Sequence, residues 1–174
     1  MKKYQIGILF LVLLAAVTLS LAQGDKDKAK KTQAATGKTQ QPHTMLTPGD
    51  FKWGPAPPAL LAGAQMAVLS GDPSKAGPFT VRAKFPDGYK IPPHWHPTDE
   101  NVTVLEGVFA MGVGDKFDEA AAHDMPVGSF VRMPKEARHY AMAKGETMIQ
   151  VHAEGPFVVN YVNPNDDPRK QTKK

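Results

Sequence analysis

Residues 88–107, GYKIPPHWHPTDENVTVLEG, hold the densest chemistry in the chain. Two histidines are separated by one residue, a glutamate follows four positions after the second, and a glycine stands at each end. Only six histidines occur in 174 residues. Successive residues of an extended segment face opposite ways, so His94, His96, Thr98 and Glu100 share one face if the stretch is a strand. Two imidazoles and a carboxylate aimed into one space suit a divalent transition ion with open positions for substrate or oxygen. Pro97 interrupts the ladder between His96 and Glu100 and predicts a bend that brings the carboxylate round the ion, while Pro92 and Pro93 stiffen the approach. Asp99 could substitute as a carboxylate, but its parity is opposite to that of both histidines. The chain has no cysteine, which excludes disulfides, thiolate ligands and cysteine nucleophiles.

The elements that must position these side chains read as short, turn-bounded strands. Segments 78–85, 101–107, 108–114, 129–134, 139–143, 147–155 and 157–162 are rich in β-branched and aromatic residues and are bounded by Gly, Pro or Asp. Fifteen glycines and sixteen prolines favour a fold with many turns over a helical bundle. Only Phe117 to Asp124, FDEAAAHD, reads as a helical turn. The expectation is an all-β sandwich or barrel.

The spacing of Gly88, His94, His96, Glu100 and Gly107 resembles the first cupin motif at every fixed position. A second motif follows with Gly128, Pro134 and His139 in place. Glu136 stands where that motif has a glycine, which puts a positive-φ turn in question, and Ala143 stands where it has an asparagine. The flanks 51–100 and 144–170 are similar to a group of small bacterial cupins of unassigned role. The resemblance implies a double-stranded β-helix, the cupin jelly-roll barrel, with at most a short helical turn. It also implies one ion held inside by His94, His96, Glu100 and His139, and it makes a homodimer an expectation.

Other residues are placed by parity. Gln150 and His152 lie on one face of the strand at 147–155; His152 either lines the pocket beside Gln150 or is exposed opposite apolar Ile149 and Val151. Arg138 and Tyr140 flank His139 and face away from it. Phe109, Met111 and Val113 read as barrel packing. His43 falls in the leader and His123 in a turn, and neither is given a role. Three histidines and a glutamate suit Fe, Mn, Ni, Zn or Cu in the divalent state. Two functions remain open: an enzyme of oxygenase- or isomerase-like chemistry on a small organic molecule, and a non-catalytic module that binds a metal or small ligand. Glu100 and His152 are the candidates for a catalytic group in the first. A vestigial site is disfavoured because all four ligand positions are filled.

The N-terminus, MKKYQIGILFLVLLAAVTLSLAQG, has two lysines, an apolar run from Ile6 to Leu19, and small residues at Ser20 and Ala22. This reads as a signal peptide, 1–22, with an uncleaved membrane anchor as the competing reading. Either places the domain outside the cytoplasm, and cleavage makes it periplasmic or secreted with no stable membrane span. Loss of Lys2 and Lys3 lowers the formal net charge from +4 to +2. Segments 23–46 and 165–174 are poor in large apolar groups and are expected to be a flexible leader and a flexible basic tail around a domain at 47–164. The folded part has no Lys/Arg stripe with interleaved aromatics, so nucleic acid is not an expected partner.

Overall fold

A computed structural model describes residues 43–171. The expected signal peptide, and the leader up to residue 42, lie outside the described residues, as do 172–174. Among the described residues no helix is long and apolar enough to cross a membrane. Nine strands form one sheet: β1 (Gly54–Pro55), β2 (Gln65–Ser70), β3 (Gly77–Phe85), β4 (Lys90–Trp95), β5 (Glu100–Val113), β6 (His123–Pro126), β7 (Phe130–Met133), β8 (His139–Gly155) and β9 (Asn160–Tyr161). Every pairing is antiparallel.

The spine of the fold is β8. One edge of it pairs with β5 almost end to end, from Glu100↔Ala153 to Val113↔His139. The other edge pairs first with β4, at His94↔His139, and then with β3. Around this spine the order runs β1-β2-β3-β8-β4-β9, with β6 and β7 on the far side of β5. The sheet curls on itself, and alternate residues of its strands fill the interior: Phe79, Val81, Ala83 and Phe85 from β3, with Ile149 and Val151 from β8. Full burial of a phenylalanine or valine of this kind contributes about 1.5–3 kcal/mol.

Where the sequence predicts strands at 101–107 and 108–114, the chain runs as one fourteen-residue strand, and 139–143 and 147–155 likewise merge into one of seventeen. A glycine-centred bulge joins the first pair. The register shifts on both sides of Glu106, Gly107 has φ 70°, and a Cβ there would run into Glu146 O and Thr147. The bulge also switches parity, since Val102 and Val104 are buried before it and Phe109 and Met111 after it. Val113, expected in the packing, is the last residue of β5 and is 73% exposed.

Further corrections come from the connections. Pro92 and Pro93, read as part of an approach, belong to β4, which shifts register between Ile91 and His94 where two residues lack N–H groups. At Phe117–Asp124 there is one short turn, in which the Asp118 carboxylate accepts from the amides of Ala120 and Ala121 at 3.0 and 3.3 Å. His123 and Asp124, placed by sequence in that turn, instead begin β6 opposite Met111 and Ala110. Of 157–162, only Asn160 and Tyr161 pair, with Trp95 and His94. The tail expected to be flexible from 165 carries two 3-10 turns, Pro164–Asp166 and Pro168–Lys170. Between them Asp167 is buried, and its carboxylate takes a fork from the Arg169 guanidinium at 2.8 and 3.0 Å.

Candidate metal centre

Three of the expected ligand residues are set by sheet pairing. His94 on β4 faces His139 at the start of β8, and Glu100 opens β5 between Met133 of β7 and Ala153 of β8. His96 lies just beyond β4, in the bend that Pro97 predicts. One nitrogen from each of His94, His96 and His139 lies within 4.8 Å of the others, and the three could hold a metal ion. Glu100 Oε2 sits 3.7 Å from His96 Nε2 and 3.2 Å from His139 Nε2. All four residues are buried. Thr98 does not join them. The bend turns it outward, and its hydroxyl donates to Glu154 O at 2.9 Å.

The hydrogen bonds define the protonation of the rings. Nδ1 of His94, His96 and His139 lies 2.8, 2.9 and 2.9 Å from the carbonyls of Pro92, Val158 and Ala137. A carbonyl only accepts, so each Nδ1 carries the proton, and in the neutral ring Nε2 presents a lone pair. With the rings neutral, the Nε2 atoms of His96 and His139 are buried and have no hydrogen-bond partner among the described residues, because the Glu100 carboxylate, 3.2 Å from His139 Nε2, only accepts. An unsatisfied buried polar atom costs about 1–3 kcal/mol. A cation in reach of these lone pairs would satisfy both, and the donor set fits a divalent transition ion.

Electrostatics point the same way. Burial, helped by the neighbouring rings of His139 and His96, pushes the His94 pKa down to about 3, and burial lowers that of His96. For Glu100 burial works upward, but the hydrogen-bonding reach of His139 and the charges of the three rings outweigh it and hold the carboxyl down at about 2. Burial also opposes a charge on His139, yet Glu100 beside it raises its pKa. The centre is therefore a buried, ionised carboxylate among imidazoles that favour the neutral form or share the carboxylate's charge. Such a group calls for a positive partner.

The cluster lines a cavity of about 400 Å³. Its walls are apolar, with Phe79, Phe85, Phe109, Met111, Ile149 and Val151 among them. Exposed Pro57, Pro58, Ser74 and Arg169 also line it and mark its mouth. The segment there is tied down by two tyrosines: Tyr161 donates to Ala59 O and Tyr89 to Leu61 O, each at 2.7 Å.

Gln150 and His152 are outside. Ile149 and Val151 take the inward positions of β8, so Gln150 and His152 face the outer surface, where His152 is exposed. His152 as a pocket or catalytic residue is thereby corrected to the surface alternative. Asp99 also faces outward, against Arg132, and Arg138 pairs with Asp115. Tyr140 is buried on the outer side over Gly112 and donates to Asp118 O at 2.8 Å. His43 is exposed coil. Sequence reasoning missed Phe157, whose ring stacks on His96 with centroids 4.1 Å apart, and the carbonyls that orient the rings. Backbone acceptors leave no mark in residue identity; an aromatic next to Gly155-Pro156 was the one available sign of Phe157.

The turn that Glu136 put in question is present. Glu136 has φ 63°, the left-handed conformation of the missing glycine, and its amide donates to His96 O at 2.7 Å.

Solved structures with this fold include the polyketide cyclase RemF from Streptomyces resistomycificus, at 17% identity and a TM-score of 0.61 over 72% of this chain and 89% of that one. A proposed acetylacetone dioxygenase from Methylibium petroleiphilum aligns at 20% identity and a TM-score of 0.57, covering 75% of this chain and 88% of that one. An RmlC-like cupin from Shewanella frigidimarina aligns at 16% and 0.52, over 66% and 93%. At these identities the likeness is one of fold: the jelly-roll double-stranded β-helix. No curated protein matches the chain. The family model of the ChrR cupin-like domain matches residues 41–158, more than half the chain, with all four clustered residues inside the match. The chain belongs to the ChrR cupin-like domain family.

Proposed function

We propose that this is an exported cupin in which His94, His96, Glu100 and His139 hold one divalent transition ion, and that the site acts on a small, largely apolar organic molecule bearing an oxygen donor. The observation that carries the reading is the pair of buried, unpartnered Nε2 atoms on His96 and His139, facing an ionised Glu100 in an apolar cavity. Without a cation, four titratable groups buried together are a net cost to the fold.

An ion of Fe, Mn, Ni, Zn or Cu would supply Lewis acidity, and for the redox-active metals electron transfer, to a molecule bound beside it. The chain does the rest. The Nδ1–H bonds to Pro92, Val158 and Ala137 fix the planes of the rings. The aromatic and aliphatic walls take up the apolar body of the substrate and exclude water, in a volume within the usual range for small-molecule sites. Glu100, ionised, can accept a proton at Oε2 from the bound molecule. The cupin neighbours named as a polyketide cyclase and a proposed dioxygenase support small-molecule chemistry in this fold.

A non-catalytic binding module is the second reading. It is favoured by one fact: among the described residues lining the cavity, the only titratable groups beyond the four are those of Arg169. Loading the protein with each ion in turn, and following oxygen uptake and substrate loss with 1,3-diketones, phenols and thiols, separates the two. Ion-dependent turnover that Glu100→Gln abolishes while retaining the ion supports the enzyme. Tight ligand binding without turnover supports the module. Export is tested by N-terminal sequencing, which should begin at Gln23; a full-length chain held in the membrane contradicts cleavage.

A further inference from the structure

His94 and His139 face each other across the β4–β8 ladder, so sheet pairing sets their separation. Glu100 is held by its pairing with Met133 and Ala153, but His96, beyond the end of β4, has no such partner. His96 and Glu100 bound a short crossing from the end of β4 to the start of β5, with Pro97, Thr98 and Asp99 between them. Pro97 has no N–H with which to tie that crossing down. Besides the Thr98 hydroxyl on Glu154 O, the ties come from the neighbouring crossing, 134–138, which leads into His139. Its Glu136 amide donates to His96 O at 2.7 Å, and its Lys135 amide donates to Asp99 Oδ1 at 2.8 Å. The other oxygen, Asp99 Oδ2, accepts from Nε of Arg132 at 3.1 Å and from its Nη2. Arg132 belongs to β7, whose next residue, Met133, is the register partner of Glu100. One carboxylate thus joins the loop carrying two of the proposed ligands to the loop that leads into a third and to the strand beside Glu100.

We infer that Asp99 is a positioning residue of the metal centre: through Arg132 and the Lys135 amide it holds the crossing between His96 and Glu100, and with it His96, in register with His139. The inference rests on the metal-site reading above. Asp99 does not line the cavity, so it is not a ligand. Its ion pair with Arg132 is largely exposed, and exposed pairs contribute little to stability. The effect of removing it falls on ligand geometry, since residues that orient ligands typically govern metal affinity about 10–100-fold.

The test is a Co(II) titration of the full chain, read by the visible d–d bands and by competition with a chelator, for the parent, Asp99→Ala, Asp99→Asn and Asp124→Ala. Asp99→Ala is expected to bind Co(II) about 10-fold more weakly and to show shifted bands when fully loaded. Asp99→Asn keeps an acceptor for the Lys135 amide and should fall between Asp99→Ala and the parent, which keeps the test available if the alanine variant does not fold. Asp124→Ala breaks the Lys144–Asp124 pair, which touches neither loop, and should match the parent. Parent-like affinity and bands in both Asp99 variants would overturn the assignment. So would a lowered thermal midpoint in the ion-free variants with unchanged bands at saturation, because that is a purely structural effect. A parent that binds no Co(II) overturns the metal site itself, and the positioning role with it.

Discussion

Two histidines on one strand live in opposite worlds. His139 and His152 are both on β8, thirteen positions apart and of opposite parity. His139 is 1% exposed, with Nδ1 on the Ala137 carbonyl and Nε2 without a hydrogen-bond partner beside Glu100. His152 is exposed, and both its nitrogens are satisfied: Nε2 lies 2.9 Å from the Gln150 amide nitrogen and Nδ1 2.9 Å from the Thr80 hydroxyl. Gln150 in turn accepts from Arg82 Nε at 3.0 Å. The outer array is complete in itself, a row of cross-strand pairs between β3 and β8 of the kind that steadies a sheet surface. The inner one leaves two buried ring nitrogens without a hydrogen-bond partner among the described residues. Residue type is the same in both places; what assigns a role is whether the second nitrogen has anything to do.

Breaking the inner side should have the largest effect. His139→Ala removes one of three nitrogen donors and should weaken divalent-ion affinity by a factor of about 100 or more, beyond what loss of an orienting partner alone produces. Chelator competition measures this, and retention within threefold of the parent would count against the ligand role.

The next effect concerns pH in the ion-free protein. His94 is pushed down to about 3 and His96 is lowered, so both bind protons more readily in the unfolded chain. A depressed histidine contributes stability that is present above the unfolded value near 6.5 and lost as pH falls towards the folded one. His139, raised, has the opposite sign, and its contribution is lost as pH rises through its folded pKa. Between pH 7 and 5 the His94 effect alone amounts to about 2 kcal/mol. Urea midpoints of ion-free protein should therefore be lower at pH 5 than at pH 7. Equal midpoints would mean that His139 offsets the other two rings, since Glu100, held down, works in the same direction as they do.

Smaller still is Glu136→Gly. A left-handed residue with a Cβ is strained, and glycine relieves this at some entropic cost, so the substitution should stabilise by about 0.5–1 kcal/mol. A fall in thermal midpoint would show that the Glu136 side chain matters more than its backbone. The outer side gives the smallest effect. His152→Ala should leave metal content unchanged and stability within about 0.5 kcal/mol, as for most surface substitutions. A loss of bound metal in His152→Ala would erase the distinction between the two faces.

Much of this contrast was legible in the sequence. Spacing brought His94, His96 and Glu100 together, the resemblance to the cupin motifs added His139, and parity excluded Asp99, Arg138 and Tyr140. Parity failed wherever the chain departs from a regular strand. It would put Thr98 on the ligand face only were the stretch extended through Pro97, where the chain bends, and it carried Val113 into the core, because a strand's end cannot be seen in its alternation. His152 could not be decided from its own segment, since the sequence was read as two strands, 139–143 and 147–155; as one strand, β8 puts it thirteen positions from His139 and on the opposite face. Glu136 disguised a turn that the backbone makes without its usual glycine. Segment 165–174 read as flexible because its composition is polar; in its described part, 165–171, the contacts are the Asp167–Arg169 pair and Arg169 Nη2 donating to Val159 O at 2.9 Å.

The central claim is that the inner histidines and Glu100 hold an ion. Its most direct test is elemental analysis of protein purified without chelators, alongside the His96→Ala, His139→Ala double variant shown by circular dichroism to remain folded. One divalent ion per chain in the parent and none in the double variant is the predicted result. Stoichiometric metal in the double variant, or a parent that takes up no divalent ion, would contradict it.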